Sequence, residues 1–217
     1  MAAMARRLLV ALSICSLLGG VPLFAETLDR IAAIVEKEVI TLSELNQVVA
    51  LRFFSRKGSE DEESYRKRVL DAMIAQALRF RDVERFGAQD VSKDAIEARV
   101  KEITARFPSP EAFDRALVEE ELTLDEVRAL IKRQLQVEAY IDERFSPLIF
   151  VSLEEIEKYY ASNWAPQRRA RGLAVPAIGE VRDEIRDLLR AERLEAEIGK
   201  WTAQLRERAN VDIYTYR

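Results

Sequence analysis

Strand-like alternation occurs at only two places in this chain, near its start and at its end, and everything between them is patterned for helix. In "RIAAIVEKEVIT", Ile31, Ala33 and Val35 fall on one face, and Val39 and Ile40 resume after a charged turn. In "VDIYTY", Val211 to Tyr216, apolar and polar residues alternate again. A lone strand is not stable in water, so the two ends must meet in one small sheet, with the helices between them folded to allow it. The expected fold is mainly α, with an N-terminal hairpin and the C-terminal strand forming that sheet.

Helix starts are marked by mechanism. Thr41/Glu44, Ser59/Glu62, Thr123/Glu126 and Ser152/Glu155 have capping-box spacing, in which a hydroxyl and a carboxylate satisfy each other's free amides. Ser109-Pro110 places a cap before a proline at the first helical position. The spacing predicts helices over roughly 42–56, 60–86, 93–107, 110–121, 124–145, 153–163 and 180–208. On the last, Val181, Ile185, Leu188, Leu194, Ile198, Trp201 and Leu205 read as one buried stripe. Between the last two helices, "SNWAPQRRARGLAVPAIG" (162–179) has two prolines, two glycines and no periodicity, and reads as a linker. Its Arg168, Arg169 and Arg171 read as a solvated cluster.

The first 25 residues are set apart from the fold. Arg6 and Arg7, the apolar run from Leu8 to Phe24 and the small Ala25 have the layout of an export signal cut before Glu26. The same run is at the short limit for a bilayer span, so an uncleaved inner-membrane anchor is the competing reading. The only cysteine, Cys15, lies in this leader, so residues 26–217 would hold no disulfide. Removing the leader's two positive charges from a net −4 leaves −6, which disfavours a nucleic-acid partner. The domain reading is therefore a signal peptide at 1–25, a helical module at 26–161, the linker at 162–179, and a helix and strand at 180–217 that complete the same core.

Chemistry is narrowed by what is missing. Without a histidine, Ser-His-Asp and Cys-His catalysis are excluded and a zinc site is not expected. No P-loop motif is present, so ATP hydrolysis of that kind is not expected, and neither a nucleotide partner nor a cofactor is expected. The carboxylates at helix starts read as caps, and no catalytic constellation stands out. What remains is apolar surface. Apolar residues on the second helix cover more of its circumference than one packed face needs, and Leu51 and Phe54 point away from the stripe of the first helix. Two readings follow: ordinary core between helix layers, or a crevice for unfolded chains. The candidate crevice residues are Leu51, Phe54, Met73, Phe80, Phe107 and Phe113.

The opening "LDRIAAIVEKEVITLSELNQ" resembles the N-terminal signature of the SurA-type periplasmic chaperones, and "EVRDEIRDLLRAERLEAEIGKWTAQLRERANVDI" resembles their closing helix and strand. The resemblance covers roughly 28–160 and 177–214. It implies a helical chaperone core from which the parvulin-type prolyl isomerase domains are missing, because the 162–179 linker replaces insertions of about a hundred residues each. Isomerase activity is not implied. The expected partners are unfolded outer-membrane proteins or other unfolded polypeptides in the periplasm. An adaptor docking one dedicated envelope partner is the alternative, and the linker would permit a homodimer by exchange of elements.

Overall fold

The computed structural model describes residues 29–214, so the expected leader and the end of the C-terminal alternation, 215–216, lie outside the described residues. Strands β1 (Ile31–Val35) and β2 (Glu38–Thr41) form the expected antiparallel hairpin, with Ile34 opposite Val39 and Val35 opposite Glu38. The far end of the chain returns to it. Strand β3 (Val211–Ile213) pairs antiparallel with β1, placing Val211 opposite Val35 and Ile213 opposite Ala33, so the order is β2-β1-β3. The hairpin turn is tied to the strand's approach: Glu36 donates its N–H to the Asn210 carbonyl at 2.8 Å, and its carboxylate accepts the Asn210 N–H at 3.1 Å.

Eight helices lie between the paired ends: α1 (Leu42–Ala50), α2 (Glu62–Phe86), α3 (Lys93–Thr104), α4 (Pro110–Glu119), α5 (Leu124–Phe145), α6 (Leu153–Tyr159), α7 (Ala165–Ala170) and α8 (Ile178–Arg208). The boxes expected at Thr41, Thr123 and Ser152 are all formed, and Ser109 caps α4 ahead of Pro110. The box expected at Ser59/Glu62 is not. Asp61 caps α2 instead, its carboxylate accepting the Ser64 N–H at 2.9 Å. A carboxylate directly before the first turn does the work of the hydroxyl two residues earlier.

The expected linker is partly helical. A π-helical turn over Tyr160–Trp164 carries α6 straight into α7, and only 171–177 is irregular. One arginine of its cluster is engaged locally: the Arg168 guanidinium lies 4.7 Å from the centre of the Trp164 ring and donates to the Ala174 carbonyl at 2.8 Å.

Packing divides into a main body and a satellite. In the main body, Ala33, Val35 and Ile40 of the sheet meet Leu45 and Val48 of α1 and Tyr65, Val69, Leu70 and Ile74 of α2. A second cluster gathers α3, α4 and α5 around Val100, Ile103, Phe113, Leu117, Val127 and Ile131. A third joins α2, α5 and α8 through Val83, Val137, Tyr140 and Trp201. The fourth stands apart, where Val151 and Ile156 close on Val181 and Ile185 at the start of α8.

The single stripe expected on α8 is in fact two. At about 100° per residue, Val181, Ile185 and Leu189 lie on one side of the helix, and Leu194, Ile198, Trp201 and Leu205 lie on the opposite side. The six-residue step from Leu188 to Leu194 turns the stripe around. Over its 31 residues, about 46 Å, α8 therefore packs its first half against α6 and its last turns against the main body.

Candidate functional site

The seven-residue stretch that leads from α5 into α6, 146–152, places two large apolar side chains close together in solvent. A short 3-10 turn, Ser146–Leu148, ends α5 at Pro147, which cannot continue the helix. Beyond it the backbone is extended at Ile149, and successive side chains alternate. Ile149 and Val151 turn inward and are buried, whereas Leu148 and Phe150 turn outward and are 76% and 75% exposed. Leu153, at the first turn of α6, continues the strip at 52% exposure.

The strip is held from behind. Arg193 of α8 donates to the Phe150 carbonyl and to the Glu155 carboxylate, tying the segment to the middle of α8. Glu155 is also the reciprocal partner in the Ser152 box, accepting the Ser152 N–H at 2.8 Å. The Ser152 amide first and the Arg193 guanidinium next hold its carboxyl well below the usual range, at about 2. The segment is thus anchored by its backbone and inward side chains, with its outward side chains left to solvent. Leu188, at the edge of the α8 face that meets α6, is also exposed.

The residues expected from amphipathicity are placed otherwise. Leu51 is 0% exposed and Phe113 4%, both inside the second cluster, so neither is presented to a client in this conformation. The second neighbour that Leu51 needs is the layer formed by α3, α4 and α5. Phe54 and Met73 are half-buried against the sheet cluster, and the Phe54 carbonyl accepts from the Tyr65 hydroxyl at 2.7 Å. Phe107 meets Phe113 edge to face at 5.4 Å and has the Arg52 guanidinium over its ring at 4.9 Å. Phe80 packs at the third cluster beneath Arg133, which sits 4.3 Å from its ring centre. The six residues are distributed over three clusters and are not brought together in one crevice. The strip that the structure does expose was readable as the run "PLIFVSL". The run is too short to show a helical period, so amphipathicity does not mark it.

Among the described residues no group of acidic or sulfur ligands could hold a metal ion, and no helix is long and apolar enough to cross a membrane. The buried polar atoms of the described side chains are all satisfied. What the strip offers is apolar contact area.

No protein-family model matches the chain. Among curated proteins it is similar to chaperones named SurA. It is 26% identical over 156 residues to the chaperone SurA of Pseudomonas putida, covering 70% of this chain and 36% of that protein. It is 28% identical over 150 residues to that of Pseudomonas syringae, covering 67% and 35%, and 27% identical over 140 residues to that of Saccharophagus degradans, covering 62% and 32%. The chain spans about a third of the length of the curated relatives it matches.

Proposed function

We propose that this chain is an ATP-independent periplasmic chaperone, exported by its leader, that holds unfolded polypeptides, unfolded outer-membrane proteins among them, without isomerase activity. The observation that carries the reading is the outward-facing strip Leu148, Phe150 and Leu153, large apolar side chains left in water on a segment that α8 fixes from behind. Keeping such side chains exposed forgoes about 1.5–3 kcal/mol of burial each. A client segment that covers them recovers part of that free energy. A short patch contributes modestly, which suits a holder that must release its client to a more stable folded state without nucleotide. The likeness to chaperones supports the same reading.

The domain organisation belongs to the proposal as well. The helical module up to 161 and the closing helix and strand from 180 complete one core, and 162–179 takes the place of an inserted catalytic domain. The test is a photo-crosslinking residue placed at Phe150, and at exposed Asp94 as a control, in the presence of a urea-unfolded barrel protein diluted into buffer. The expected result is adducts from position 150 with this barrel and with a second, unrelated one, and far fewer from position 94. Equal labelling at both positions would sink the assignment of the strip. Adducts at 150 with one specific envelope protein and with no unfolded barrel would convert the reading to a dedicated adaptor.

A further inference from the structure

The geometry points to a second binding site, distant in sequence from the strip, for the C-terminal residue of a polypeptide: a carboxylate on an apolar side chain. The C-terminal ends of α2 and α8 and the β1–β2 turn form a cavity of about 150 Å³, open on one side, lined by Glu36, Leu78, Arg81, Asp82, Arg85, Leu205, Arg208 and Ala209. Its floor is apolar, supplied by Leu78, Leu205 and Ala209, and its rim carries three guanidinium groups.

The two acids of the rim are already engaged. Glu36 accepts from the Asn210 N–H and lies 3.6 Å from Arg81. Asp82 accepts from the Trp201 indole N–H at 3.1 Å. Arg85 and Arg208 form no hydrogen bond or ion pair with a described residue, and both are exposed. One cation at each helix end offsets the partial charge of the free carbonyls. That role does not require both helix-end arginines to line one cavity with an apolar floor.

The size and chemistry select the ligand. A cavity of this volume admits a group about as large as benzene, which is one side chain and no more. Guanidinium groups bind carboxylates through paired N–H donors. Only at a chain's C-terminal residue do an apolar side chain and a carboxylate sit on the same carbon, so that one residue fills the floor and reaches the rim together. An internal Asp or Glu presents its carboxylate in place of the apolar group. The site does not depend on the strip at Leu148 and Phe150.

The test uses fluorescence anisotropy with a labelled hexapeptide ending in leucine, as the free acid, as the amide, and as an amide with an internal aspartate beside leucine. The free acid is expected to bind, and both amides to bind at least about tenfold more weakly. The double variant Arg85→Gln/Arg208→Gln, on exposed side chains, is expected to lose about tenfold in affinity for the free acid with an unchanged circular dichroism spectrum. Leu148→Ser/Phe150→Ser is expected to bind the free acid as the parent chain does, which separates this site from the strip. Absence of binding by the free acid, equal binding of acid and amide, or an unaffected double variant would overturn the assignment. An internal aspartate that binds as well as the free acid would overturn it too, by showing a general carboxylate surface.

Discussion

At the residue scale, two positions show how local chemistry sets backbone and charge. Arg52 and Glu121 hold left-handed backbone, φ 55° and 53°, at the ends of α1 and α4. In each case the next residue closes a six-to-one bond: Phe53 N–H to the Val48 carbonyl at 3.2 Å, and Leu122 N–H to the Leu117 carbonyl at 2.8 Å. These are Schellman ends, in which glycine normally takes the left-handed position. Arg52 has compensation. It donates to the Arg106 carbonyl at 2.6 Å, Arg106 donates back to the Arg52 and Phe53 carbonyls, and the guanidinium covers Phe107. Glu121 is exposed. Replacing it with glycine relieves roughly 1 kcal/mol of left-handed strain, partly offset by the freer unfolded chain. Glu121→Gly should therefore raise the urea midpoint, by up to about 1 kcal/mol of stability; a lowered midpoint would contradict this. Glu155 gives a pH prediction. Its folded carboxyl titrates at about 2 against an ordinary 4.5, so its contribution is present above 4.5 and is lost as pH falls towards 2. The stability gap between the parent chain and Glu155→Gln should close over that interval. A gap that stays constant across it would show that Glu155 acts by packing alone.

At the element scale, helix starts were legible in the sequence, whereas helix ends were legible at 86, 145 and 208 and missed at the ends of α1 and α4, where no glycine or proline breaker follows directly. An N-terminal cap is a side-chain bond at fixed spacing, and four of the five marked starts hold as written; the fifth moved two residues because Asp61 lies nearer the first turn than Ser59. The ends at Leu51 and Glu120 carry no glycine, so nothing in the pattern announces them, and α1 stops six residues before the expected end at 56. The stripe of α8 failed for a related reason. Three-and-four spacing was read through the step from Leu188 to Leu194, whose rotation separates a face for α6 from a face for the main body. That separation makes the α6 cluster depend on few contacts, and Ile185 lies at its centre with no exposure. Ile185→Ala should cost about 2–5 kcal/mol locally and speed hydrogen exchange in α6 and the first half of α8, leaving β1, α1 and α2 slow. Exchange rising evenly through all helices would show instead that satellite and main body unfold as one unit.

At the scale of the whole molecule, the closure of the two ends into one sheet followed from a single argument, that isolated strands are unstable. The candidate site did not follow in the same way. Amphipathicity shows that Leu51 and Phe113 need a neighbour, but cannot tell a second helix layer from a client, and here α3, α4 and α5 supply the layer. The exposed strip escaped because it lies between elements, where no period exists to be broken. With a single long helix and one extended segment joining satellite to main body, Leu148, Phe150 and Leu153 lie at the junction. Light scattering during dilution of a urea-unfolded outer-membrane barrel, with equimolar parent chain or Leu148→Ser/Phe150→Ser/Leu153→Ser, tests the central claim most directly. The parent chain should suppress aggregation of this barrel and of an unrelated one, and the triple variant, equally folded by circular dichroism, should lose most of that suppression. Suppression undiminished in the variant, or none by the parent chain, would contradict the account.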